Sequence, residues 1–294
     1  MKRDRPEIVF NIINYLIFTI ILFICIYPFY YLLIYSLSDP TQAQKGVFLI
    51  PAGFTLRSYI TVFNLNGIGH AAMISVFRTV IGTGVTVFCC SFFAYILTKQ
   101  ELYYRKTIYR LVVVTMYLNA GLIPWYLTMK YLMLKNTFWV YIIPFAVSAY
   151  YIVLIKTFIE QLPPSLEESA KIDGADYFTV FSRIIFPLSM PIIATITVFA
   201  AVTQWNQWFD NFILVQNENL KTLQLILYNY LNESSNIAAL VKTQNFANGK
   251  PQFTITPQTI QMTMTMVVTL PVIFIYPFLQ RFFVKGIMLG AIKG

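Results

Sequence analysis

The chain has 294 residues, of which 57% are hydrophobic and only 11% charged, with a net charge of +9 and a mean hydropathy of +0.64. A soluble domain carries about a quarter charged residues and covers its core with them, so this chain has too little charge for a water-exposed surface. The 21 Lys and Arg stand at the ends of apolar runs and form no basic face with interleaved aromatics, which excludes nucleic acid as a partner and indicates a membrane.

Charge-free runs at 8–38, 79–98, 111–129, 136–155, 184–209 and 251–280 each reach the roughly 20 residues needed to cross the hydrocarbon. They predict an all-α, polytopic membrane protein with six transmembrane helices. After a short N-terminus, 1–8, bearing Lys2, Arg3 and Arg5, comes a first span at 9–37. It is too long for a signal-peptide core and has no small-residue cleavage site, so it is read as retained. An outer loop at 38–70 contains a surface helix, because Asn64, Asn66, Gly67, Gly69 and His70 stop the run 58–77 from crossing. The second span is expected at 71–98, with Arg78 snorkelling to the interface. The third (111–129) and fourth (136–158) lead to an inner loop at 163–190, and the fifth lies at 191–212. An outer loop at 213–257 carries an amphipathic candidate at 223–231, and the sixth span, 258–280, bears Pro271 and Pro277 as expected kinks. A tail at 281–294 completes the chain.

With the N-terminus inside, 13 of the 21 Lys and Arg fall on the inner side, so both termini are expected in the cytoplasm. Cys25, Cys89 and Cys90 sit in apolar runs without metal-ligand or disulfide spacing. No GxxxxGK[ST] phosphate loop is present, so energy must come from a partner or an ion gradient.

The loop at 163–190 carries the most specific pattern. Pro163 and Pro164 stop the preceding helix, Ser165 is placed to cap a new one, and Glu167 and Glu168 suit its first turn. Gly174 is expected to break it, and Tyr177 to Ile185 form a second helix with Phe178, Phe181 and Ile185 on one face. An apolar inner helix–turn–helix wants a docking partner, the plainer alternative being that it lies on the inner leaflet. Three glycines in the last nine residues favour an extended tail.

Residues 167–191 resemble the EAA loop of ABC importer permeases, which runs EAA, three residues, G, then about nine residues to I-x-L-P. Glu168, Ala170, Asp173, Gly174, Ala175, Phe181, Ile184, Pro187 and Pro191 fit, while Ser169 and Phe186 depart. The tail 281–294 looks like the C-terminus of maltose-transporter-type carbohydrate permeases, which end G-A-[VI]-K-G. The first span, at Tyr-Pro-Phe-Tyr-Tyr, and the third, at Gly-Leu-Ile-Pro-Trp, look like the LplC/YtcP branch, associated with complex oligosaccharides. The resemblance implies a type I ABC importer permease fold, with one transmembrane domain over about 71–285, in the cytoplasmic membrane of a bacterium.

It further implies ATPase-coupling contacts at Glu167, Glu168, Ala170, Asp173, Gly174, Ala175, Phe178 and Phe181, and tail contacts at Gly290, Ala291, Ile292, Lys293 and Gly294. The implied partners are a second, different permease subunit, a dimer of ABC ATPases, an extracytoplasmic sugar-binding protein, an oligosaccharide and membrane lipid. No cofactor is expected in this chain, since ATP and Mg bind the partner ATPases, and no catalytic or metal residues are expected either.

Polar residues inside spans default to function. In the fifth span, Gln204, Trp208 and Asn211 share one face at i, i+4 and i+7, with Trp205 beside them. Amide groups next to an aromatic plane suit a sugar, whose hydroxyls need hydrogen bonds and whose C–H face stacks on rings. This face is expected to line a substrate pathway, with Asn119 and Tyr150 as further candidates; an interfacial aromatic belt is the alternative. The expected function is the permease subunit of an ATP-driven oligosaccharide importer. A non-sugar ABC importer and an ion-coupled secondary transporter stay open as alternatives, although Asp210 is the only acid within the expected spans.

Overall fold

The computed structural model describes residues 5–47, 49–65, 67–232 and 256–291, and the side chains among them except those of 5, 6 and 276–291. The regular elements among these residues are helices, and the only β pairing among them is an isolated bridge between Ser38 and Phe54. Among the described residues, three helices are long and apolar enough to cross a membrane singly: Glu7–Ser36, Ile68–Thr98 and Pro257–Ile275. Two further segments qualify only as bent pairs, Phe138–Phe145 with Ala149–Ile159 at 47° and Tyr177–Leu188 with Met190–Asn206 at 84°.

Contacts divide the chain into two units. The first comprises Met1–Ile68 and Leu227–Pro271. Its α1, Arg5–Ser36, is uncharged beyond Glu7 and exposes its apolar side chains from Ile8 to Tyr30. A helix so apolar all round is solvated by lipid or by other apolar helices. Toward its end Tyr27, Tyr31 and Tyr35, four residues apart, put neighbouring rings 6.3 and 5.8 Å apart. Ile34 and Tyr35 then join Ala43, Val47 and Met262 in a small core. Asp39 caps the short α2, Pro40–Ala43, by accepting the Thr41 amide at 3.0 Å. The expected surface helix is α3, Arg57–Phe63, whose Tyr59 hydroxyl meets Ser36 at 2.8 Å.

The second unit, Gly69–Ile226 with Val272–Gly294, holds most of the packed interior. It contains most of α4 (Ile68–Thr98), then α5 (Arg105–Thr115), α6 (Leu122–Tyr131), two single 3-10 turns over Phe138–Phe145, and α7 (Ala149–Ile159). The chain goes on through α8 (Ser165–Ile172), α9 (Tyr177–Val180), a π turn at Phe181–Ile185, α10 (Phe186–Leu188), α11 (Met190–Asn206) and α12 (Phe209–Leu214). After a 3-10 turn, α13 (Leu223–Asn232) occupies the expected amphipathic segment, and α14 runs from Pro257 to Ala291. One core joins α4, α7 and α11 through Cys90, Ala94, Tyr95, Ile152, Ile155, Phe181 and Ile196. A second gathers Met129, Val140, Tyr141, Ile142, Leu214 and Val215.

Two expectations about elements are corrected. The third span is not one helix: α5 and α6 are separated by 116–121. Gly121 there adopts φ 82°, and the Asn119 carboxamide oxygen accepts the Gly121 amide at 2.9 Å, a local turn that competes with helix. The tail is not extended, because α14 passes through Gly286 and Gly290 to Ala291. Each interior glycine costs about 1 kcal/mol against alanine, a local penalty that does not end a helix of 35 residues. The same helix is continuous through Pro271 and Pro277.

Candidate functional site

In the loop at 163–190, helix α8 starts at Ser165, but Pro164 holds the cap position and no side chain caps it, so Ser165 is the first helical residue and not the cap. Proline supplies the fixed φ without a donor to lose. Gly174 ends the turn at φ 79°, in the left-handed region that favours glycine. Asp176, absent from the sequence expectations, caps the second helix by accepting the Thr179 amide at 3.2 Å; the Thr179 hydroxyl first, and then this amide, hold its carboxyl below the usual range. Within that helix the π turn shifts the register. Phe181 and Ile185 are buried as expected, but Phe178 is 52% exposed, so the three do not share one buried face.

Phe181 is the plug of this loop. Its ring lies 5.1 Å from Phe92 and 5.6 Å from both Tyr95 and Phe186. Ala170 and Ala175 pack partly against the same core. Glu168, Asp173 and Gly174 are exposed, together with Ile172 at 86%. Glu167 instead turns inward, pairing with Lys99 and, at 3.4 Å, with Lys171. The loop thus presents one packed side and one open side that combines charge with exposed apolar residues, Ile172 foremost.

The expected fifth-span face does not exist as drawn. Helix α11 stops at Asn206, Gln207 is extended, and α12 restarts at Phe209, so Gln204 and Asn211 belong to different helices. The interruption is held by Arg78, which does not snorkel: it is 1% exposed. Its guanidinium pairs with Asp210 through two contacts of 3.1 and 2.5 Å, donates to the Gln207 carbonyl at 3.0 Å and to the Gln204 carboxamide oxygen at 3.1 Å. It also lies 4.6 Å over the Tyr141 ring. A cation at the C-terminal end of α11 and a carboxylate in the first turn of α12 both suit the helix dipoles, and a charge buried this deeply needs such a partner.

Asn211 belongs to this hub. Its amide donates to the Tyr141 hydroxyl and its carbonyl oxygen accepts the Thr222 amide at 3.0 Å, so it braces the turn before α13 and is spent on structure. Gln204 is different. With its oxygen held by Arg78, its buried Nε2 lacks an acceptor among the described residues. It lines a cavity of about 250 Å³ with Thr86, Phe145, Ser148, Tyr151 and Thr203. Gly82 makes room for it: a Cβ there would stand 2.7 Å from the Gln204 nitrogen.

The remaining candidates are dispersed. Trp208 packs edge-on against Phe209 and Phe212, and Trp205 is partly buried on α11. Tyr150 is half exposed beside Tyr151, and Asn119 is spent on its turn. Of the tail candidates, Gly290 and Ala291 end α14, whereas Ile292, Lys293 and Gly294 lie outside the described residues. Sequence reasoning missed the Arg78–Asp210 pair, although one Arg and one Asp isolated in apolar runs are a usable signal. Thr86 and Ser148 carried none.

No family model matches the chain. The polygalacturonan/rhamnogalacturonan transport system permease protein YtcP of Bacillus subtilis (strain 168) is 37% identical over 272 residues, covering 92% of this chain and 93% of the relative. Protein LplC of the same strain is 36% identical over 297 residues, covering 100% of this chain and 98% of the relative. Among solved structures, a chain of a bacterial ABC transporter involved in the import of the acidic polysaccharide alginate superposes with a TM-score of 0.88 at 27% identity, covering 96% of this chain and 99% of that one.

Proposed function

The chain belongs to the permease subunits of sugar ABC transport systems, and from that premise we propose how its parts serve import. It is the subunit through which an oligosaccharide enters, with ATP hydrolysis carried by partner subunits. The finer reading is a six-span permease of the bacterial cytoplasmic membrane with both termini inside. In it, α5 with α6 forms a broken third span, the bent pair Phe138–Phe145 with Ala149–Ile159 supplies the fourth, and α11, entered from the loop at 163–190, supplies the fifth. The distribution of Lys and Arg supports that orientation.

The observation that carries the reading is the two-sided loop at 163–190. Phe181 anchors it in the core while Glu168, Ile172, Asp173 and Gly174 are left open, as a docking helix requires. We assign this open side to the ATPase dimer, with Ala170, Ala175, Phe178 and Phe181 as its base and the end of α14 from Gly290 as a second contact. ATP and Mg belong to those partners. A second, different permease subunit and an extracytoplasmic sugar-binding protein complete the importer. Replacing 165–174 by a Gly-Ser linker should abolish co-purification of the ATPases while the permease stays in the membrane; retained co-purification would sink the assignment.

The Gln204 cavity is the substrate-pathway candidate. A buried amide nitrogen without an acceptor costs about 1–3 kcal/mol, and a sugar hydroxyl would supply one, with Thr86, Ser148 and Thr203 offering further partners and Tyr151 a ring. YtcP and the alginate importer are named for acidic glycans, so oligogalacturonides are the first probe. Gln204→Ala should lower uptake at unchanged membrane abundance, and unchanged uptake would remove Gln204 from the pathway.

A further inference from the structure

Adjacent carboxylates on α8 are used in opposite ways. Glu168 is exposed, whereas Glu167 turns back to Lys99, the residue that follows the end of α4. The Lys99 side chain is only one-tenth exposed, and its ammonium stands 3.8 Å from the centre of the Tyr95 ring. Burial pulls its pKa below that of an ordinary lysine, opposed by the hydrogen bond and charge of Glu167. Lys171, one turn after Glu167, adds a looser tie, reaching Glu101 at 3.2 Å and Glu167 at 3.4 Å. The looser contacts are more exposed and contribute little; Lys99 with Glu167 is the enclosed pair, in which neither charge is left stable alone.

This pair matters because little else fixes α8. No residue of the helix is buried, it is preceded by Pro163 and Pro164, and it ends at the left-handed Gly174. Ala170 gives it one small apolar footing. In the other direction, α4 runs about 30 Å from Lys99 to Arg78 at 1.5 Å per residue. On the way it contributes Thr86 to the cavity, Gly82 against the Gln204 amide and finally Arg78 to the Gln204 oxygen. One continuous helix therefore touches the loop at one end and the orientation of Gln204 at the other.

We propose that Glu167 and Lys99 form a clasp fastening α8 to α4, so that α4 is the rod carrying displacement of the loop to the Gln204 cavity. Glu167 is then a positioning residue, not a contact to the ATPases. The proposal rests on the reading of the loop as the ATPase dock.

The test uses the full importer complex purified through this chain, with Cys25, Cys89 and Cys90 replaced by Ala and a reporter Val147→Cys at the exposed rim of the cavity. Its labelling by a membrane-impermeant maleimide is followed with and without ATP, Mg²⁺ and vanadate. The unclasped variants are Glu167→Gln and the doubly neutral Lys99→Met/Glu167→Gln, which leaves no unpaired charge and guards against simple misfolding. Supporting the proposal, the ATPases co-purify and hydrolyse ATP with both variants while the nucleotide-dependent change in labelling, present in the parent, is lost. A parent-like change in the double variant overturns it. Loss of the ATPases from Glu167→Gln and the double variant also overturns it, by making Glu167 a contact. If the parent itself retains no ATPase, the docking reading fails, and the proposal with it.

Discussion

Arg78 and Asp210 sit at the centre of a hydrogen-bonded ring that runs from the Gln204 oxygen and the Gln207 carbonyl through Tyr141 and Asn211 to Thr222. Removing one charge strands the other in a buried site, at a cost of about 3–5 kcal/mol. Asp210→Asn should therefore lower the melting temperature of the detergent-solubilised permease sharply, and Arg78→Met/Asp210→Leu should recover much of the loss. An unaltered melting temperature in Asp210→Asn would show the pair to be unimportant. Gly82→Ala is a gentler probe: its Cβ would meet the Gln204 amide at 2.7 and 2.8 Å. It should reduce oligosaccharide uptake at near-parental stability, whereas Gly84→Ala, with open space around it, should leave uptake unchanged. These residues show where sequence reading stops. Gln204 was legible as an amide in an apolar run. The partnership of Arg78 with Asp210 joins positions 132 residues apart, a distance that no local pattern spans.

At the scale of elements, the loop at 163–190 was the most legible part of the chain, because its signals are local: two prolines, a run of acids in the first turn, a glycine, then apolar spacing. Its π turn and the inward rotation of Glu167 were not legible, since both answer to packing against α4. Gly174 at φ 79° has open space around it, so the cost of a substitution there is backbone strain. Gly174→Val should weaken ATPase co-purification while Gly174→Asn, which tolerates the left-handed region, retains more of it; equal retention would argue that the turn is not needed. The broken third span shows the limit of counting uncharged residues. Leu111 to Met129 is long enough to cross, yet Asn119 and Gly121 commit the chain to a turn.

For the whole molecule, α1 exposes nearly all its apolar side chains, and at roughly 1.5–3 kcal/mol for each large side chain moved out of water, it requires lipid or another helix around it. The orientation reading adds a checkable expectation: a cysteine placed at position 2 or 293 should be labelled by an impermeant reagent only after the cells are opened. Labelling in intact cells would reverse the topology.

Composition, periodicity and short-range turn chemistry are enough to read from the sequence that this chain belongs in a membrane, that it is helical, and that the loop at 163–190 folds as two short helices around Gly174. The tertiary structure alone decided that the fifth span is interrupted, that Asn211 braces the fold while Gln204 faces a cavity, and that of two neighbouring glutamates one is a tie and the other a surface. The reason is the low dielectric of the interior: a buried charge or amide takes its conformation from whichever partner is close in space, and sequence spacing does not record that partner.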